Sequence, residues 1–133
     1  MDRLFLDANV LFSAAYKIDA RLLALWKLRY VTLCSSHYAL QEARINLPGE
    51  DQWTRLTELS RSLQLFEAGQ TSLPPGIFLP ERDVPIFLAA IEAQATHLLT
   101  GDVRPFRAYF GKKIEGIAIM RPGAYIRERR RAG

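Results

Sequence analysis

Short apolar runs of strand length alternate along this chain with segments of helical periodicity, and two of those runs end on an aspartate. Arg3-Leu4-Phe5-Leu6 leads into Asp7, and His97-Leu98-Leu99-Thr100-Gly101 leads into Asp102, each followed at once by helix-like sequence. Tyr30-Val31-Thr32-Leu33, Leu63-Gln64-Leu65-Phe66 and Ile117-Ala118-Ile119-Met120 supply three more strands. Helices are expected over residues 9–16, 21–29, from Ser35 or Ser36 through Ile45 to the stop at Pro48-Gly49, 53–63, 84–94, 103–110, and from Pro122 through Ile126. Residues 68–80, with three prolines and two glycines, read as the one linker-like loop. This alternation predicts an α/β domain with a central parallel sheet of about five strands, helices on both faces and right-handed crossovers.

In such a sheet ligands collect outside the carboxyl ends of the strands, so Asp7 and Asp102 meet at one crevice if their strands are parallel neighbours. Asp83 opens the apolar helix of residues 84–94, and Glu42 lies inside its own helix beside Tyr38 and Ile45. These four acids are the candidate site, either as one metal centre or separately. Asp7, Asp83 and Asp102 each precede a helix, where aspartate also serves as an N-cap. Glu42, in a helix interior, is either at the edge of an apolar stripe or turned into a polar cleft.

A chain of 133 residues, 49% hydrophobic and 24% charged, suits one compact domain spanning residues 1–133. The lone Cys34 has no partner within the chain and sits in an apolar run, as a small buried thiol does. Asp7 and Asn9 interrupt the first apolar stretch, which argues against a signal-peptide core, and no run approaches the ~18 apolar residues of a membrane span. A cytoplasmic, membrane-free protein is expected. A net charge of +4 and a pI of about 9.5 permit a polyanionic partner without requiring one. The run Arg127, Arg129, Arg130 and Arg131 reads equally as a frayed, solvated terminus or as an RNA contact.

His37 and His97 lack companions at zinc-ligand spacing and read as surface residues. Ser13, Ser35 and Ser36 lack a nucleophile-elbow context, and there is no glycine-rich phosphate loop. Trp26, Trp53, Phe87, Tyr109 and Phe110 have the spacing of core or interface residues. A phosphoacceptor role for Asp7 or Asp102 lacks a second acid beside Asp7 and a strand-end lysine near Met120.

Taken together, the strand running into Asp7-Ala8-Asn9-Val10-Leu11, the helical Glu42, Arg82-Asp83-Val84-Pro85-Ile86 opening an alanine-rich helix, and Leu98-Leu99-Thr100-Gly101-Asp102 resemble the PIN-domain ribonucleases over nearly the whole chain. That resemblance implies a three-layer α/β/α fold and a metal-dependent endonuclease that cuts single-stranded RNA with Mg or Mn. It further implies the toxin of a toxin–antitoxin pair, with an antitoxin protein as partner and a homodimer as the assembly. Asp7, Glu42, Asp83 and Asp102 match the family's acidic ligand positions, and Asn9 and Thr100 match its supporting polar positions. Val103-Arg104-Pro105-Phe106 departs from relatives that carry a further acid there, so the resemblance does not extend to a full second metal site. Arg82 and Arg104 adjoin proposed ligands and are the candidate RNA contacts. The alternative is a non-catalytic PIN-fold domain that binds RNA or protein.

Overall fold

The computed structural model describes residues 1–132. Its core is a six-stranded sheet in the order β3-β2-β1-β4-β6-β5, formed by β1 (Asp2–Leu6), β2 (Val31–Ser35), β3 (Gln64–Leu65), β4 (His97–Leu99), β5 (Lys113–Ile114) and β6 (Ile117–Met120). Five strands run parallel. The expected count of about five omitted β5, which pairs antiparallel to β6 at the edge. Glu115 and Gly116, at φ of 55° and 78°, make the tight two-residue turn between them, a conformation that glycine adopts freely and glutamate at some cost.

Packed about the sheet are α1 (Ala8–Tyr16), α2 (His37–Asn46), α3 (Glu50–Ser60), α4 (Val84–Glu92), the short α5 (Val103–Phe106) and α6 (Pro122–Ala132), giving a PIN-like three-layer α/β/α fold. Residues 21–29, expected as an α-helix, instead form a 3-10 helix over Arg21–Lys27 that buries only Leu25. Leu4, Phe5, Leu6, Leu98, Leu99 and Ile119 fill the centre of the core, each fully buried. Each such side chain contributes roughly 1.5–3 kcal/mol by leaving water, so the middle of the sheet is the rigid frame on which the strand ends are held.

The arginine run is helical and partly built into the fold. Arg129 donates to the Tyr125 hydroxyl at 3.0 Å and to the Arg29 carbonyl at 2.8 Å, while Tyr125 donates to Asp2 at 2.5 Å. Asp2 opens β1, so this network lies at the amino edge of the sheet, opposite Asp7. His97, read from sequence as a surface residue, is half-buried with its ring edge-on to Tyr125 at 5.0 Å. Its pKa is lowered, first by burial. Cys34 is buried, as are Phe87 and most of Trp26 and Trp53, whose indole nitrogens donate to the Leu59 and Leu47 carbonyls. Among the described residues no helix is long and apolar enough to cross a membrane.

Candidate active site

β1 and β4 are parallel neighbours, paired from Leu4–His97 to Leu6–Leu99, and the Asp7 amide extends the pairing with a 3.1 Å bond to the Leu99 carbonyl. β2 and β3 lie to one side of β1, β4 and β6 to the other. The strand order therefore reverses between β1 and β4, the switch point where an α/β sheet opens a crevice. The crevice here is a cleft of about 480 Å³ into which the structure brings Asp7, Glu42, Asp83 and Asp102.

A hydrogen-bond network ties the two strand ends together. One Asp7 oxygen caps α1 by accepting from the Ala8 amide at 2.7 Å. The other accepts from the Thr100 hydroxyl at 2.7 Å and from the Asn9 amide nitrogen at 3.3 Å. Asn9 in turn accepts from the Gly101 amide at 2.9 Å, and the Asp102 amide donates to the Thr100 hydroxyl at 3.1 Å. Thr100 is fully buried. Its hydroxyl and the Asn9 side chain thus fix both aspartates relative to one another, while Asp102 also caps α5 by accepting from the Arg104 amide.

Asp83 behaves differently. A short 3-10 turn, Glu81–Asp83, runs straight into α4, so Asp83 has helical dihedrals (φ −92°, ψ −11°) and its side chain makes no cap. Asp83 is 7% exposed, and among the described residues its Oδ2 is the one buried side-chain polar atom without a hydrogen-bond partner. Arg82 approaches it only at 4.0 Å, with a side chain 69% exposed, too distant and too solvated to satisfy it. A buried acceptor left unpaired is unfavourable by about 1–3 kcal/mol, and such atoms in native proteins call for a functional reason.

Electrostatics agree with that reading. Burial pushes the Asp83 carboxyl up to about 6, with repulsion from Asp7 next, opposed by the pull of Arg82 and added to in smaller measure by Asp102 and Glu42. Burial likewise raises Asp7, opposed by its bonds from Thr100 and Ala8 and reinforced by Asp102 and Glu42. Like charges are thus held together with little positive charge between them.

Glu42 reaches the cleft from α2, although not for the reason its spacing first implied. Ile45 is 72% exposed, so the buried stripe of α2 is Ala39 and Ala43, and Glu42 borders that stripe. Tyr38 and Asn46 line the cleft with it. The sequence set Tyr38 on an apolar stripe beside Glu42 and passed over Asn46, yet 38, 42 and 46 recur every four residues, the spacing of one helix face. Tyr38 donates its hydroxyl to the Arg82 carbonyl at 3.0 Å, and partial burial followed by the neighbouring Glu42 carboxylate pushes it up to about 12, so it stays neutral. Arg82 lines the same cleft. Arg104 borders an adjoining hollow with Asn9 and Asp102.

The acids share a cleft without being drawn into a closed shell: among the described residues no three acid, histidine or cysteine side chains already stand as a ligand cluster. An all-oxygen donor set of this openness suits a hard cation that keeps several waters and takes only one or two direct carboxylates, as Mg2+ does. The unpartnered Asp83 oxygen and the uncompensated charge around it fit such an ion.

The sequence matches no protein-family model and no curated protein. Among solved structures, the fold is similar to a chain in the crystal structure of VapBC2 from Rickettsia felis bound to a DNA fragment from their promoter. The TM-score is 0.61 at 16% identity, over 88% of this chain and 96% of that one. At that identity the likeness establishes the fold.

Proposed function

We propose that the protein is a metal-dependent endoribonuclease acting on single-stranded RNA, the toxin of a toxin–antitoxin pair. The observation that carries the reading is the convergence of Asp7, Glu42, Asp83 and Asp102 at the switch point, with a buried Asp83 oxygen left without a partner. Asp7 and Asp83, the two buried acids, would hold Mg2+ or Mn2+, with Asp102 and Glu42 at the cleft wall accepting hydrogen bonds from its waters. Bound there, a divalent ion makes water a stronger nucleophile and offsets charge developing on the leaving oxygen. Thr100 and Asn9 orient Asp7, and Tyr38, neutral and tied to Arg82, shapes the rim where the strand would enter. The PIN-like fold shared with a chain of the VapBC2 assembly supports the toxin assignment and an antitoxin partner, with a homodimer and a cytoplasmic site of action as parts of the same reading.

Incubating mixed RNA with the protein in Mn2+ and in EDTA tests the activity. Cleavage in Mn2+ that vanishes in EDTA is expected. Because the acids form no ready-made ligand cluster, a non-catalytic RNA-binding domain is the competing reading; it predicts no cleavage and equal RNA binding with and without chelator.

Arg82 lines the acidic cleft and Arg104 the adjoining hollow, and in this reading both meet the phosphates of the RNA. Replacing both with alanine should weaken RNA binding for all sequences and, at about 0.7 per phosphate contact on a single strand, lower the slope of log K against log salt by about 1.4. Titrations in Ca2+ across a salt series measure it. An unchanged slope places the RNA path elsewhere, with the exposed Arg127, Arg130 and Arg131 next in line.

A further inference from the structure

On the Glu42 side the cleft opens without a break into a second hollow, sharing Tyr38, Glu42, Asn46 and Arg82 and adding Gln41 and Ile45. Ile45 contributes nothing to the core, and a large apolar side chain left 72% exposed beside a polar cleft is available to a ligand. We infer that this hollow receives the unpaired base next to the phosphate held at the acids, and that it selects bases bearing an exocyclic amino group. The inference rests on the nuclease reading and names the base preference of that same site.

A nucleobase has an apolar face and a polar edge, and the hollow offers both complements. Ile45 and the Tyr38 ring present apolar surface, and the bond from the Tyr38 hydroxyl to the Arg82 carbonyl fixes the ring's orientation. The hollow's acceptors are the Glu42 carboxylate, the Asn46 carbonyl oxygen and the Tyr38 oxygen, while the donors of Arg82 are directed to the phosphate. Asn46 already donates one amide hydrogen to the Glu42 carbonyl at 2.9 Å, and its Oδ1 remains an acceptor. The Tyr38 hydrogen is also committed, leaving lone pairs on its oxygen. Adenine, cytosine and guanine can donate an exocyclic amino group to these acceptors, whereas uracil has only its N3–H to donate, flanked by two carbonyl oxygens that they repel. Arg82, shared by both hollows, sits where the sugar–phosphate of that nucleotide would pass.

The test cuts a random-sequence RNA oligonucleotide in Mn2+, sequences the product ends, and repeats this with the Ile45→Ala/Asn46→Ala protein and with Gln41→Ala. In parallel, binding of labelled oligo(A), oligo(C) and oligo(U) is measured in Ca2+. The parent should disfavour uracil at one position flanking the cut by about 10-fold, the worth of one good hydrogen bond. The double variant should lose that bias, with KM rising and kcat nearly unchanged. Both residues are exposed, so its melting temperature should stay close to the parent's. Cleavage without base bias, or a bias that survives the double variant, overturns the inference and leaves the nuclease reading standing. Base-selective binding that the variant loses, in a protein that does not cut, upholds the hollow and overturns the nuclease reading. If the protein neither cuts nor binds RNA, both fall.

Discussion

Asp7→Asn should lower Mn2+-dependent RNA cleavage by at least about 100-fold while the protein stays folded. Even residues that only orient a metal ligand change affinity or activity by 10–100-fold, and Asp7 is proposed as a ligand itself. The expectation that the fold survives comes from two effects of opposite sign. An asparagine keeps one oxygen to accept from the Ala8 amide and so retains the cap of α1. Its NH2 group, however, replaces the oxygen that accepts from Thr100 and Asn9, setting donor against donor and costing about 1 kcal/mol. Against this, the substitution removes a buried carboxylate whose pKa is raised by burial and by its acidic neighbours, which is stabilising. The measurement pairs cleavage rates in Mn2+ and EDTA with a thermal melt of each protein. Undiminished cleavage would remove Asp7 from the site, and an unfolded variant would show its hydrogen bonds to be chiefly structural.

How far this was legible in the sequence differs from residue to residue. Asp7 and Asp102 were readable because each ends an apolar run of strand length, and parallel pairing of β1 with β4 then carries both to one edge. The distinction among the three aspartates was not readable. All precede helices, so all looked like caps, yet Asp7 and Asp102 take extended dihedrals and cap, whereas the 3-10 turn at Glu81–Asp83 gives Asp83 helical dihedrals and frees its carboxylate. A difference of backbone dihedral decided by how a loop meets a helix leaves no trace in residue type. Glu42 does line the cleft, but the apolar stripe beside which the sequence set it is not the buried one, because a helix of low apolar content offers two faces of similar periodicity and only packing chooses between them. The edge strand β5 escaped notice for a simpler reason: two residues carry no period, and Glu-Gly is a weaker turn signal than Asn-Gly or Asp-Gly.

Because Asp83 is the residue whose placement the sequence hid, its removal is the sharper test of what the cleft is for. Asp83→Asn should stabilise the metal-free protein at pH 7.5 by on the order of 2 kcal/mol, or roughly 7 °C in Tm, since it removes a buried carboxylate with an unpartnered oxygen amid three other acids. The pH dependence has a defined sign. Burial first, and Asp7 next, raise this carboxyl from 3.8 to about 6, so the folded state binds the proton more tightly than the unfolded chain does. Its contribution is therefore greatest below pH 3.8 and is lost as pH rises through about 6, with about 1.4 kcal/mol disappearing between pH 5 and pH 7. Asp7 acts in the same direction. In EDTA the parent protein should accordingly melt higher at pH 5 than at pH 7.5, against the trend set by ordinary salt-bridged carboxylates, and Asp83→Asn should flatten that rise. Mn2+ should raise the Tm of the parent at pH 7.5 and leave the variant nearly unmoved, because the ion stabilises only the folded state that can hold it. A variant that melts lower than the parent in EDTA, or one that responds equally to Mn2+, would mean that Asp83 supports the start of α4 and that the acids were gathered for something other than a cation.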